Sequence, residues 1–159
     1  MRALWITALV TFVVDQATKW LVVQQMNLID KGAIDVLPPV LNLRMAWNEG
    51  INFGLLSSNH DLARWILIGV ALVISIGVLI WVWREKMGRL GLIAAGLLVG
   101  GALGNVVDRV IYGAVADFLN MSCCGISNPY SFNVADIAVF AGAIGLILFS
   151  GPPKGKKAP

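Results

Sequence analysis

Two aspartates, Asp117 and Asp136, lie beside apolar stretches and have no basic residue next to them in the sequence. Ionisable groups are costly in such surroundings, so the few that occur there are informative. Two carboxylates brought together in an apolar site cannot both ionise easily, and we expect them to share one proton. One carboxylate then takes a proton from water while the protonated one hydrogen-bonds to a carbonyl, which suits hydrolysis of an amide.

Asparagine accompanies aspartate in a motif that occurs twice, Asn-Val-x-Asp at 105–108 and at 133–136. Residues three apart share a helix face, so each motif presents an amide and a carboxylate together. An Asp near a helix start is also a common cap, and for Asp136 capping and catalysis remain alternatives. Asp108, which ends the first copy, has an opposite charge beside it in Arg109.

Asp15 and Lys19 are four residues apart, which places them on one helix face. We expect a mutually neutralising pair that orders the first helix rather than a direct chemical role.

Cysteine and histidine usage argues against other chemistry. Cys123 and Cys124 are adjacent, and because a bond between neighbours would be strained, we expect free thiols or no structural role. The single histidine, His60, and this cysteine pair do not supply the ligands of a zinc site, and nothing around His60 resembles a nucleophile turn.

The composition predicts which elements must carry these residues. The chain has 159 residues, of which 58% are hydrophobic and 13% charged, too apolar for a short soluble domain. We predict an all-α membrane protein with four transmembrane helices and a small outward-facing β-sheet between helices 1 and 2. The predicted spans are 3–23, 65–83, 90–107 and 133–150.

The first and third spans need interpretation. The stretch 3–23 also resembles a cleaved signal peptide, but no cleavage site of small residues follows, so we expect an uncleaved span. In the third span, Gly96, Gly100 and Gly104 form small-xxx-small patterns. These indicate close helix packing rather than phosphate binding.

Basic residues predict the orientation. Seven of them flank one set of span ends, against three on the other side, which puts both termini in the cytoplasm. The net charge of +3 gives no reason to expect nucleic acid. Segments 24–64 and 113–131 then face outward. Within the first, residues 41–48 alternate apolar and polar as a half-buried strand, which 51–54 could join. We expect one domain over 1–151 and a cytoplasmic tail over 152–159.

With these residues in this order, the chain resembles the lipoprotein signal peptidase (signal peptidase II) family over nearly its whole length. The matching blocks occur in order: Asp15-Gln-Ala-Thr-Lys19, Asn48-Glu-Gly-Ile-Asn-Phe-Gly54, Gly100-Gly-Ala-Leu-Gly-Asn-Val-Val-Asp-Arg109, Val115-Ala-Asp-Phe118 and Phe132-Asn-Val-Ala-Asp136.

The resemblance implies an aspartic endopeptidase of the bacterial cytoplasmic membrane, with its site near the outer face. The family cuts diacylglyceryl-modified prolipoproteins on the N-terminal side of the lipobox Cys, is inhibited by globomycin-type antibiotics, and uses no metal or cofactor. Asp117 and Asp136 match its catalytic pair. Other matching positions support the site or hold substrate: Asp15, Lys19, Asn48, Gly50, Asn105, Asp108, Arg109 and Asn133. We expect a monomer whose partners are this substrate and membrane lipid.

Asn52 departs from the small apolar residue of many members, and the Cys123-Cys124 pair belongs to no motif of the family. Two other classes remain: a proton-coupled transporter or channel subunit, which would show flux in liposomes, and a membrane scaffold without chemistry.

Overall fold

The computed structural model describes residues 1–50, 60–125 and 128–151. Five helices and three strands form this part of the chain. In order they are α1 (Arg2–Lys19), α2 (Leu28–Lys31), β1 (Ala33–Leu37), β2 (Leu41–Asn48), α3 (His60–Glu85), α4 (Arg89–Tyr112), β3 (Val115–Asn120) and α5 (Val134–Phe149). A π-helical stretch, Trp20–Gln25, continues α1 toward the sheet.

Among the described residues, three helices are long and apolar enough to cross a membrane: Arg2–Gln25, Asp61–Glu85 and Arg89–Tyr112. The fourth, α5, is apolar but has only 16 residues, so four spans remain a prediction. The last of these three helices, α4, continues beyond the predicted end of the span at 107 to Tyr112, so Asp108 and Arg109 lie within it. It ends at Gly113, whose φ of +83° is a left-handed conformation that glycine adopts without strain.

Helix α4 lies at the centre of the fold and packs against α1, α3 and α5. A Cβ atom at Gly96 would lie 2.6 Å from the carbonyl oxygen of Leu4 on α1, and one at Gly100 would meet the carbonyl oxygen of Ala8 on the same helix. The predicted packing role of these glycines is therefore confirmed, because only a hydrogen fits at these crossings.

The sheet is antiparallel, in the order β1-β2-β3. The alternating segment 41–48 is β2, as predicted, but the sheet is not built only between the first two long helices. Its third strand, Val115–Asn120, follows α4, because Gly113 turns the chain back along β2. The predicted partner 51–54 lies outside the described residues.

Two pairs set the register that matters for the site: Ala46 lies opposite Asp117, and Trp47 opposite Ala116. Since successive side chains of a strand point to opposite faces, Asp117 and Ala116 serve different sides of the sheet.

The expectation of free thiols is wrong. Cys123 and Cys124 form a disulfide in the turn after β3. Cys124 takes a left-handed conformation there, with φ of +58°, and this turn brings the two sulfur atoms together.

Candidate active site

Asp117 lies in the middle of β3 and is 3% exposed. Its carboxylate accepts two hydrogen bonds from side-chain amides, one from each side. Asn48 Nδ2 on β2 donates to Oδ2 at 3.0 Å, and Asn133 Nδ2 donates to Oδ1 at 2.7 Å. The strand register therefore fixes the depth of this carboxylate, and two asparagines fix its rotation.

Asp136 lies in the first turn of α5 and is half-buried. It forms a reciprocal capping box with Asn133: the Asp136 N–H donates to Asn133 Oδ1 at 2.9 Å, and the Asn133 N–H donates to Asp136 Oδ2 at 3.2 Å. Its other oxygen, Oδ1, accepts from Asn105 Nδ2 at 2.8 Å. The capping role left open by the sequence is thus present, and the same carboxylate also faces α4.

Asn133 connects the two aspartates. It is fully buried, caps the helix of Asp136 and donates to the carboxylate of Asp117. Its Nδ2 also lies 3.2 Å from Asn105 Oδ1, so the asparagines of the two Asn-Val-x-Asp motifs meet. The two copies of the motif therefore bring their asparagines together beside Asp136, and Asp117 joins them from β3.

The surroundings of Asp117 shift its pKa. Burial, and next the negative charge of Asp136, raise the pKa of Asp117 from 3.8 to about 6, although hydrogen bonds from Asn48 and Asn133 and the charge of Lys19 oppose the shift. Among the described residues, neither Asp117 nor Asp136 forms an ion pair.

Asp15, Lys19 and Asp108 form a buried ion network between α1 and α4. Lys19 Nζ lies 2.8 Å from Asp15 Oδ2 and 2.8 Å from Asp108 Oδ2. The predicted Asp15–Lys19 pair is confirmed, but its role is not confined to the first helix. Asp108 pairs with Lys19 rather than with its sequence neighbour Arg109.

This network reaches the backbone just before each aspartate of the pair. The N–H of Ala116, which precedes Asp117, donates to Asp108 Oδ2 at 3.1 Å. The N–H of Ala135, which precedes Asp136, donates to Asp15 Oδ1 at 2.9 Å. Because Lys19 joins both carboxylates, the two backbone segments are tied to one ammonium group.

Sequence reasoning missed Gln16. Its Nε2 donates to Asp15 Oδ2 at 3.1 Å and to Asp108 Oδ1 at 3.0 Å, across the gap between α1 and α4. The available signal was an uncharged polar side chain between Asp15 and Lys19 in a predicted span.

The remaining predicted residues lie at the rim. Gly50 has a φ of +103° and donates its N–H to Asn48 Oδ1 at 3.0 Å, which orients the amide that holds Asp117. Arg109 Nη1 donates to the carbonyl of Asn105 at 3.4 Å, and its buried Nε has no hydrogen-bond partner among the described residues.

Within the described residues, no cluster of three or more His, Cys, Asp or Glu is arranged for a metal ion.

Comparison with known proteins identifies the family of the chain. The family model for signal peptidase (SPase) II matches residues 7–151. The chain belongs to the signal peptidase II family. The lipoprotein signal peptidase of Methylobacterium radiotolerans is 42% identical over 98% of this chain and 90% of its own length. The lipoprotein signal peptidase of Caulobacter vibrioides is 38% identical over 90% of this chain and 83% of its own length. Membership makes the chain a protease.

A solved structure shares the fold. A bacterial membrane enzyme determined by the in meso method at 1.9 Å resolution superposes with a TM-score of 0.79. It is 27% identical, over 93% of this chain and 92% of that one. With the apolar helices, this likeness makes the chain a multi-pass bacterial membrane protein of the signal peptidase II family.

Proposed function

We propose that this signal peptidase II cleaves diacylglyceryl-modified prolipoproteins on the N-terminal side of the lipidated Cys, with Asp117 and Asp136 as catalytic residues. The observation that carries the proposal is the convergence of two carboxylates on Asn133 without an ion-pair partner among the described residues. The curated relatives are lipoprotein signal peptidases, which supports this substrate class.

Asp117 carries the shared proton at the start of the reaction, since burial favours its neutral form. The carboxylate of Asp136 lies at a helix N-terminus, where a negative charge is stabilised. Asp136 takes a proton from water as the water oxygen attacks the scissile carbonyl carbon, and Asp117 gives its proton to the carbonyl oxygen. When the C–N bond of the resulting diol breaks, Asp136 returns its proton to the leaving amine, and Asp117 regains its own.

Asp15, Lys19 and Asp108 act as positioning residues in this scheme. They hold the backbone N–H groups of Ala116 and Ala135, so they fix the separation of the two catalytic side chains without touching the substrate. Catalysis is sensitive to such separations because reacting groups must meet within a few tenths of an ångström.

The membrane placement is part of the proposal. The basic residues orient both termini to the cytoplasm and the site to the outer face of the cytoplasmic membrane. The chain acts as a monomer, since the residues proposed for catalysis and positioning all come from this single copy. The predicted cytoplasmic tail 152–159 lies outside the described residues.

The proposal is tested by incubating the purified full chain with a diacylglyceryl-modified prolipoprotein. Asp117→Asn and Asp136→Asn should each reduce cleavage by about 10³-fold or more, because each removes a proton-transfer group. Asp61→Asn is the matched control, since that side chain is 86% exposed on α3, and it should cleave normally. Full activity in either variant of the pair would refute the two-aspartate mechanism.

A further inference from the structure

A cavity of about 270 Å³ lies on the side of the sheet away from Asp117. Trp47 and Ala116, which pair across β2 and β3, both line it. Their neighbours Ala46 and Asp117 form the adjacent pair and point to the opposite face. The cavity is therefore separate from the proposed catalytic pair, and peptide cleavage assigns it no role.

Three aromatic rings form much of the cavity wall: Trp20, Trp47 and Tyr112. Trp47 and Tyr112 are in contact, with ring centroids 5.6 Å apart and planes inclined by 48°. Each of the three rings remains substantially exposed. Aromatic faces carry negative quadrupoles and attract cations, so this wall suits a positively charged group.

The polar end of the cavity is an ion pair that offers no free cation. Lys19 and Asp108 line it, with Lys19 Nζ 2.8 Å from Asp108 Oδ2. The other two N–H donors of this ammonium group are directed to Asp15 Oδ2 and Asn105 Oδ1. Lys19 therefore has no donor left for an anionic head group, and the aromatic wall decides the preference of the cavity.

The π-helical stretch Trp20–Gln25 shapes the third side of the cavity, which it lines with Trp20, Val23 and Gln24. Such stretches are rare, and they are frequent at functional sites. The cavity lies where the apolar runs of α1 and α4 end, with Val23 and Ile29 beside the rings. Trp and Tyr concentrate at this level of membrane proteins, at the boundary between hydrocarbon and water.

We propose that this cavity binds the ammonium head group of a zwitterionic phospholipid from the bilayer. The ammonium lies between the rings of Trp20, Trp47 and Tyr112, above the Lys19–Asp108 pair. One acyl chain follows Val23 and Ile29 into the membrane. The bilayer is the source because the cavity opens beside the apolar ends of two helices of a membrane protein.

The test uses the delipidated full chain in detergent micelles, titrated with dioleoylphosphatidylethanolamine or dioleoylphosphatidylglycerol and read by native mass spectrometry. The ethanolamine lipid should bind at least about fivefold more tightly, because only it offers an ammonium to the rings. Trp47→Leu and, separately, Tyr112→Leu should each weaken its binding about fivefold, while Trp47→Phe, which keeps a ring, should retain most of it.

Trp81→Leu is the matched control, since Trp81 on α3 is 41% exposed and Trp47 is 39% exposed. It should leave binding unchanged. Equal binding of the two lipids, or equal losses in Trp47→Leu and Trp81→Leu, would overturn the assignment. Because binding is measured without substrate, this result is independent of whether the chain cleaves prolipoproteins.

Discussion

Replacing Asp117 with Asn should remove a pH-dependent cost of folding. Burial, with the negative charge of Asp136, raises the pKa of Asp117 from 3.8 to about 6 in the folded chain. Between these two values the folded protein binds a proton that the unfolded chain has released. The contribution of Asp117 to stability therefore falls as the pH rises from about 4 to about 6, and it stays low above pH 6.

The size of this cost follows from the shift. A difference of about two pKa units corresponds to about 3 kcal/mol at pH 7. At pH 4.5 the cost is only about 1 kcal/mol, because the folded chain then keeps Asp117 protonated and does not bury its negative charge. Asn at position 117 has no proton to exchange. The free energy of unfolding of the variant, relative to that of wild type, should therefore be about 2 kcal/mol larger at pH 7 than at pH 4.5.

Hydrogen bonding does not obscure this difference. Asn48 and Asn133 both donate to the carboxylate, and an amide at position 117 offers only one oxygen, so one of these bonds is lost. Because an amide does not titrate, the hydrogen bonds of the variant are the same at pH 4.5 and pH 7, and the pKa of Asp117 already includes the two bonds of the wild type. Comparing the two pH values therefore isolates the cost of the buried charge from the cost of the changed hydrogen bond.

The assay is thermal unfolding of the full chain in detergent micelles at pH 4.5 and pH 7. The Tm of Asp117→Asn relative to wild type should rise by roughly 4–8 °C between these pH values. Asp61→Asn, which removes an exposed carboxylate, should show no such rise. A relative Tm for Asp117→Asn that is the same at both pH values would refute the electrostatic reasoning, even if the variant is inactive.

Two further substitutions test the positioning network and the helix packing. Lys19→Met leaves Asp15 and Asp108 buried without their shared cation. It should cost about 3–5 kcal/mol of stability and lower kcat more than it changes KM. Wild-type values of Tm and kcat in this variant would contradict the positioning role. Gly96→Ala should cost about 1–3 kcal/mol of stability because its Cβ would meet the α1 backbone. Gly77→Ala is the control and should not destabilise, since an added Cβ there would have no atom within 4 Å. Equal Tm values for these two variants would count against close packing.

The sequence was sufficient for the elements with strong local patterns. The apolar runs predicted the three long helices, because an apolar stretch of about 20 residues has few other stable environments. The alternation in 41–48 predicted β2 within its observed bounds. The carboxylates and amides of the site were found because polar groups are conspicuous in so apolar a chain.

The relations between distant segments were not predictable in the same way. The sequence placed residues 115–120 in an outward-facing segment without predicting a strand there, and pairing with β2 makes Val115–Asn120 a strand. Arg109 is adjacent to Asp108 in sequence, but successive residues of a helix point in different directions, so the pairing passes to Lys19 on α1. Likewise, no local pattern indicates that Asp15 holds the N–H of Ala135, 120 residues away.

The shortness of α5 has a consequence for where the chemistry occurs. Sixteen helical residues extend about 24 Å, whereas the hydrocarbon layer of a bilayer is about 30 Å thick. In the proposed four-span topology, α5 leaves a hydrophobic mismatch of about 6 Å, which thinning of the surrounding bilayer would accommodate. Asp136 lies in the first turn of this helix, so the proposed catalytic pair would lie in a local depression of the outer leaflet. A substrate anchored by acyl chains would then reach the pair without leaving the membrane.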